Sequence, residues 1–295
     1  MIHIATVATE SQYYFPYLVE SCRRHGKELK VIGYGEKWQG FNWRFRLMID
    51  YLKSLPENDI VCFVDGYDVI CCRDLNEMSH VFLDIKEKTG CKMITGTEIV
   101  KTFSAGYFGY IYFGRCRNEA INAGTYIGIV KDLLEILPDI YNLDDRDDAD
   151  DQQLMIKYCQ KTNNVMIPDK DNKLFLTIVN SLSEIDQYID IDENKRVTYH
   201  SNNPFFIHAP GYGYLDGILN KLGYQPNNIK NELYKNLFVK KTMMYLIEIM
   251  KQYLVWILSF ILFIFILFII VYNKTIKQAT IIPVRNIRRL ILQKS

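Results

Sequence analysis

The chain lacks an excess of charge of either sign. Its 35 lysines and arginines stand against 34 aspartates and glutamates, for a net charge of +1. A nucleic-acid binder normally shows a basic stripe, so nucleic acid is not expected as a partner. No C-x-x-C pair occurs among the seven cysteines, Cys22, Cys62, Cys71, Cys72, Cys91, Cys116 and Cys159. Seven is also an odd number. The cysteines therefore read as mostly free thiols in a reducing compartment, without structural zinc. Cys62 lies inside an apolar run, where a small buried thiol is usual. The opening residues, Met1 to Glu10, contain neither a basic segment nor a long apolar one, so no signal peptide is expected there. No internal repeat is visible. Hydrophobic residues make up 49% and charged residues 23% of the chain, which argues for a packed core over disorder.

The most informative stretch runs from Asp59 to Ile70. Ile60 to Val64 is apolar throughout, as expected for a strand buried on both faces of a parallel sheet. The run stops at Asp65-Gly66-Tyr67-Asp68. In open α/β sheets, ligands bind just outside the carboxyl ends of strands. Two carboxylates there offer hard oxygen ligands to Mg²⁺ or Mn²⁺, which in turn can hold a diphosphate. Asp and Gly also favour ordinary turns, so turn and metal site are both open readings of these four residues.

Around this stretch the pattern alternates. Ile2 to Ala8 predicts a strand, Tyr13 to Arg24 a helix, Leu29 to Tyr34 a strand, and Trp43 to Leu55 a helix stopped by Pro56. Beyond it, Glu77 to Lys88 predicts a helix, Cys91 to Thr97 a strand, and Ile129 to Leu137 a helix closed by Pro138. Ser104 to Gly114, rich in glycine and tyrosine, fits no class. The order implies βαβ units and a parallel sheet. Asp144 to Asp151 holds six aspartates and reads as a solvated loop, ending at a helix start where Asp150 or Asp151 is the N-cap. Val165 to Ile167 and Leu174 to Val179 predict strands, and Phe205 to His208 is a short apolar run before a turn at 209–213.

Tyr253 to Tyr272 is twenty residues without a charge. As a helix it spans roughly 30 Å, the hydrocarbon thickness of a bilayer. Tyr253, Trp256 and Tyr272 supply aromatic belts. The expected layout is a domain at 1–224, a polar and basic linker at 225–252, the membrane helix at 253–272 and a basic tail at 273–295. The tail's Lys274, Lys277, Arg285, Arg288, Arg289 and Lys294 weakly favour a cytoplasmic tail. The free thiols and the opening residues favour a tail-anchored protein with its domain in the cytosol, and that single-pass layout is the preferred expectation.

Taken together, residues 2–224 resemble the glycosyltransferase domain of procollagen lysyl hydroxylases and related collagen glycosyltransferases. Six segments carry the resemblance in order: Thr6 to Thr9, Gly33 to Gly40, Phe63 to Ile70, Ile121 to Gly128, Asp147 to Gln152, and Ile207-His208. The resemblance implies a GT-A fold, a Rossmann-like α/β sheet that binds a nucleotide sugar. It implies transfer of a hexose from UDP-glucose or UDP-galactose to a hydroxyl of an acceptor protein or glycan, hydroxylysine of a collagen-like protein being the acceptor it suggests. It implies Mn²⁺, with Mg²⁺ as the alternative, on Asp65, Asp68 and His208. It implies donor contacts at Val7, Thr9, Trp38, Arg44, Asp65 and Gly124, and catalytic roles for Asn122, Asp150 and Asp151. Two departures stand out. Arg44 falls near a family lysine, and Ala209-Pro210-Gly211 replaces a Gly-Asn-Gly-Pro turn. The alternative expectation is a catalytically inactive membrane scaffold that binds nucleotide sugar or glycan.

Overall fold

The computed structural model describes residues 1–101, 103–180, 183–211, 213–236 and 253–272. It divides into two compact units, Met1–Phe238 and Val239–Ser295. The first unit is an α/β domain. In chain order it contains β1 (Ile2–Val7), α1 (Phe15–Arg24), β2 (Leu29–Ile32), α2 (Trp43–Leu52), β3 (Ile60–Val64), β4 (Val69–Cys71), α3 (Met78–Thr89) and β5 (Met93–Val100). There follow α4 (Phe103–Phe113), β6 (Ile121–Ile129), α5 (Val130–Tyr141), α6 (Asp151–Lys161), β7 (Met166–Pro168), β8 (Phe175–Val179), β9 (Asp190–Ile191), β10 (Val197–Thr198), β11 (Phe206–His208), α7 (Asp216–Lys221) and α8 (Ile229–Asn236).

The main sheet has nine strands in the order β2-β1-β3-β6-β5-β8-β11-β4, with β7 also paired to β5. It is mixed, which corrects the expected parallel sheet. β6 runs antiparallel between β3 and β5, and β4 runs antiparallel to β11. Hydrophobic pattern sets which face a strand buries but carries no information on its direction.

The continuous apolar run of β3 is explained by cover on both sides. Val61 and Phe63 join a core cluster with α2, α5 and α6. Ile60, Cys62 and Val64 join a second cluster with Leu18 and Cys22 of α1 and with Met78 and Phe82 of α3. A third cluster packs α7 and α8 beneath Ile70, Leu176 and Ile207.

Several local expectations change. Ser104 to Gly114 lies mostly within helix α4. α5 continues through Pro138 to Tyr141, because its buried face of Val130, Leu133, Ile136, Leu137 and Ile140 continues past the proline. That packing outweighs one lost backbone hydrogen bond. Ile229 and Leu233 of α8 are buried in the third cluster, so packing extends past Tyr224 into the segment read as a linker. Cys116 and Cys159 form a disulfide, their Cα atoms 5.6 Å apart across 43 residues of sequence. This corrects the reading of mostly free thiols for that pair. The other five cysteines are free and buried.

The second unit contributes one described helix, α9 (Tyr253–Tyr272), long and apolar enough to cross a membrane. Residues 237–252 and 273–295, which hold most of the expected linker and the basic tail, lie outside the described residues.

Candidate active site

β3 ends where the expected carboxylates begin, and the sheet then determines what they meet. The Asp65 backbone N–H donates to the carbonyl oxygen of Gly124 on β6, at 2.7 Å. After the turn the chain re-enters the sheet as β4. There His208 of β11 is the register partner of Val69, one residue beyond Asp68. The Ala209 N–H donates to the Asp68 carbonyl at 2.9 Å. An antiparallel pairing across about 140 residues of sequence thus delivers an imidazole to the carboxylate pair. His208 Nε2 lies 3.3 Å from Asp68 Oδ1 and 3.7 Å from Asp65 Oδ2. One ligand atom from each of the three residues falls within 4.8 Å of the others.

The residues fit a divalent cation. His208 is fully buried, and neither ring nitrogen makes a hydrogen bond of normal geometry. A buried imidazole without a hydrogen bond is costly, so a ligand for it is expected. Gly124 keeps the centre open: a Cβ there would lie 2.3 Å from Asp65 Oδ2 and 2.6 Å from His208 Cε1. Two carboxylates and an imidazole suit Mn²⁺ better than Ca²⁺. Burial raises the Asp65 carboxyl above its ordinary range, against the lowering pull of Arg44. Burial also opposes protonation of His208, but Asp68, Asp65 and Glu98 together raise the imidazole.

Three further groups converge on this centre. Arg44, in the first turn of α2, donates one guanidinium nitrogen to Asp65 Oδ1 and the other to Asp151 Oδ2. Asp150 caps α6, its carboxylate accepting from the Gln153 N–H at 2.9 Å. The helix thereby starts at Asp151, which is buried facing Arg44. Asn122 Oδ1 accepts the Gly124 N–H at 2.7 Å, while its Nδ2 donates to Glu98 at 2.9 Å and to Gln152 at 3.2 Å.

Glu98 and Tyr67 are site residues that sequence reasoning missed. Burial raises the Glu98 carboxyl, although Asn122 and Gln152 both donate to it. Glu98 occupies the β5 position whose β8 partner, Thr177, is also the partner of His208. The sequence did carry a signal for it: Glu98 directly follows the strand expected at Cys91–Thr97, as Asp65 follows β3, although the strand itself runs on to Val100. The Tyr67 hydroxyl accepts from the Thr9 N–H at 2.9 Å and the Glu10 N–H at 3.3 Å. That ties the turn between the carboxylates to the loop after β1.

The expected nucleotide segments border the same end of the sheet. Val7 is buried, and the Thr9 carbonyl accepts from the Gly35 N–H at 2.8 Å. Trp38 is 39% exposed and packs edge-on against Trp43 and Phe41, with ring centroids 5.7 and 5.6 Å away. Gly40 has φ +134°, and a Cβ there would lie 2.4 Å from the Asp147 carbonyl oxygen. Nor is the aspartate run a free loop. Asn42 Nδ2 donates to the carbonyls of Asp144 and Arg146, the Trp43 N–H donates to that of Asp147, and Arg46 pairs with the Asp147 carboxylate. Asp145 and Asp148 remain exposed. In the altered turn, Gly211 takes φ +71°, and Tyr212 lies outside the described residues.

Comparison with known proteins identifies the family. The family model of the PLOD GT domain matches residues 1–234. The chain belongs to the PLOD GT domain family. A multifunctional procollagen lysine hydroxylase and glycosyltransferase of Caenorhabditis elegans is 23% identical over 245 residues, covering 76% of this chain and 33% of that protein. The chain therefore spans about a third of that relative's length. A glycosyltransferase involved in the glycosylation of the major capsid of PBCV-1 is similar in structure, with TM-score 0.47 and 15% identity. It covers 75% of this chain and 98% of its own. Residues 1–234 are thus a glycosyltransferase domain, and the family match with the mixed α/β sheet meets the GT-A expectation.

Proposed function

We propose that the domain transfers a hexose from UDP-glucose or UDP-galactose to an acceptor hydroxyl and depends on a divalent cation, Mn²⁺ in preference to Mg²⁺. The observation that carries the reading is the convergence of Asp65, Asp68 and a buried His208, whose ring nitrogens make no hydrogen bond, around the gap that Gly124 leaves. When bound there, the cation supplies Lewis-acid stabilisation of the charge that grows on the leaving diphosphate. Trp38 offers an apolar face to the base, beside Val7 and Thr9. Glu98 accepts from the Asn122 amide and so orients it: with Nδ2 turned to Glu98, Oδ1 faces the Gly124 N–H. Asn122 and Gly124 then line the donor sugar. Asp151, and Asp150 beside it, are the carboxylates proposed to receive the acceptor hydroxyl. Hydroxylysine of a collagen-like protein is the acceptor that family membership suggests.

Incubation with Mn²⁺ and each UDP-hexose should release UDP. Asp68→Ala should abolish that release while the fold persists. UDP binding without release with any donor would favour the inactive scaffold, for which the altered 209–211 turn is the supporting feature.

We further propose that α9 anchors the domain in a bilayer with its tail in the cytoplasm and the domain on the opposite, oxidising side. The Cys116–Cys159 disulfide supports this orientation over the cytosolic one expected from sequence, because such bonds persist outside reducing compartments. The tail's six basic residues, without an acid, point the same way. Protease protection of sealed membranes tests it: a domain digested from the cytosolic face would reverse the assignment.

A further inference from the structure

Arg44 stands in the family's lysine region, but its contacts are ones a lysine could not make. It is 7% exposed, and the rings of Phe41 and Phe63 lie 5.3 and 5.7 Å from its guanidinium carbon. Its two terminal nitrogens go to different carboxylates on different elements, Asp65 at the end of β3 and Asp151 at the start of α6. Asp65 is divided in the same way. Its Oδ1 accepts from Arg44, while Oδ2 faces His208 at 3.7 Å and the space kept by Gly124. A planar guanidinium has rigidly spaced donors and can fix two carboxylates at once; an ammonium acts as a single point charge.

We propose that Arg44 is a positioning residue that clamps Asp65 and Asp151 together, turning Asp65 Oδ2 toward the metal site and coupling occupancy of that site to the placement of α6. The inference rests on the metal reading proposed above and adds a residue outside the ligand set. Groups that orient metal ligands from behind typically account for 10–100-fold in metal affinity. The coupling is reciprocal, so a change at Asp151 must be felt at the metal.

Mn²⁺ binding to the full chain, followed by water proton relaxation, tests this without reference to turnover. Arg44→Lys keeps the charge and removes the fork, and should weaken Mn²⁺ binding about tenfold or more. Asp151→Asn, which touches no metal ligand, should weaken binding several-fold in the wild-type background and not further in the Arg44→Lys background. Unchanged Mn²⁺ affinity in Arg44→Lys, or effects of the two substitutions that add in full, overturns the proposal. If Arg44→Lys fails to fold, Asp151→Asn alone decides, and unchanged affinity there refutes the coupling. Absence of Mn²⁺ binding by the wild type would instead overturn the metal reading, and this inference with it.

Discussion

Gly124→Ala is the sharpest probe of the centre, because the structure sets both its direction and its size. Gly124 is not among the glycines with left-handed backbone, so alanine meets no conformational penalty. The added methyl would lie 2.3 Å from Asp65 Oδ2, 2.8 Å from Asp65 Cγ and 2.6 Å from His208 Cε1. Asp65 is held by Arg44 and His208 is fully buried, so neither can swing aside freely. An ordinary contact requires a retreat of about 1 Å, far outside the roughly 0.2 Å tolerance of a metal–ligand distance. The stability cost should be that of overpacking, about 1–3 kcal/mol. Mn²⁺ affinity should fall by at least about 100-fold, equivalent to about 2.7 kcal/mol. Gly128→Ala is the control: its Cβ would meet Leu133 Cδ2 at 2.7 Å, so it should lower stability and leave the metal site alone. Calorimetric Mn²⁺ titration and Tm measured on both variants separate the effects. Gly124→Ala binding Mn²⁺ as tightly as wild type would refute the assignment of this gap.

Other outcomes are equally specific. Trp38→Ala should cost about 1–3 kcal/mol of UDP affinity, the usual worth of a base stacked on an aromatic ring, and an unchanged Kd removes Trp38 from the base site. Asp150→Ala should lower stability by about 1 kcal/mol through loss of the α6 cap, whereas Asp150→Asn should keep the cap and isolate any role of the charge in turnover. Reducing the Cys116–Cys159 bond should lower stability by about 4 kcal/mol on the chain-entropy account of a loop this long, and a urea midpoint indifferent to reductant would contradict it. Because the folded-state carboxyl of Glu98 is raised above its ordinary 4.5 by burial, its ionisation destabilises the fold. Wild type should therefore lose stability relative to Glu98→Gln as pH rises from about 4.5 through the raised value. Parallel Tm–pH curves for the two proteins would count against the shift.

Much of the fold was legible because its signals are local. The apolar period marks α1, α2, α3 and the buried strands, and β3 with the carboxylates at its exit stands out as two successive patterns. An N-cap at Asp150 or Asp151 follows from their place before an apolar helix start, and the structure gives the capping bond to Asp150. The membrane-length helix is a matter of composition alone. Less legible was anything in which packing overrides propensity, such as α5 continuing through Pro138, or α8 adding Ile229 and Leu233 to the core.

What the sequence determined by itself, then, is the locally patterned elements such as α1, α2, α3 and β3, the position of Asp65 and Asp68 at a strand exit, and the charge-free run at 253–272. Its resemblance to a family pointed to His208, but no spacing along the chain did. The tertiary structure alone decided that β4 re-enters antiparallel to β11 and sets His208 beside Asp68. It decided that Glu98 shares a partner strand with His208, that one guanidinium reaches both Asp65 and Asp151, and that Cys116 meets Cys159. Each of these joins residues tens to more than a hundred positions apart, through strand order and strand direction. Those are properties of the whole sheet, and a local pattern of hydrophobic residues does not encode them.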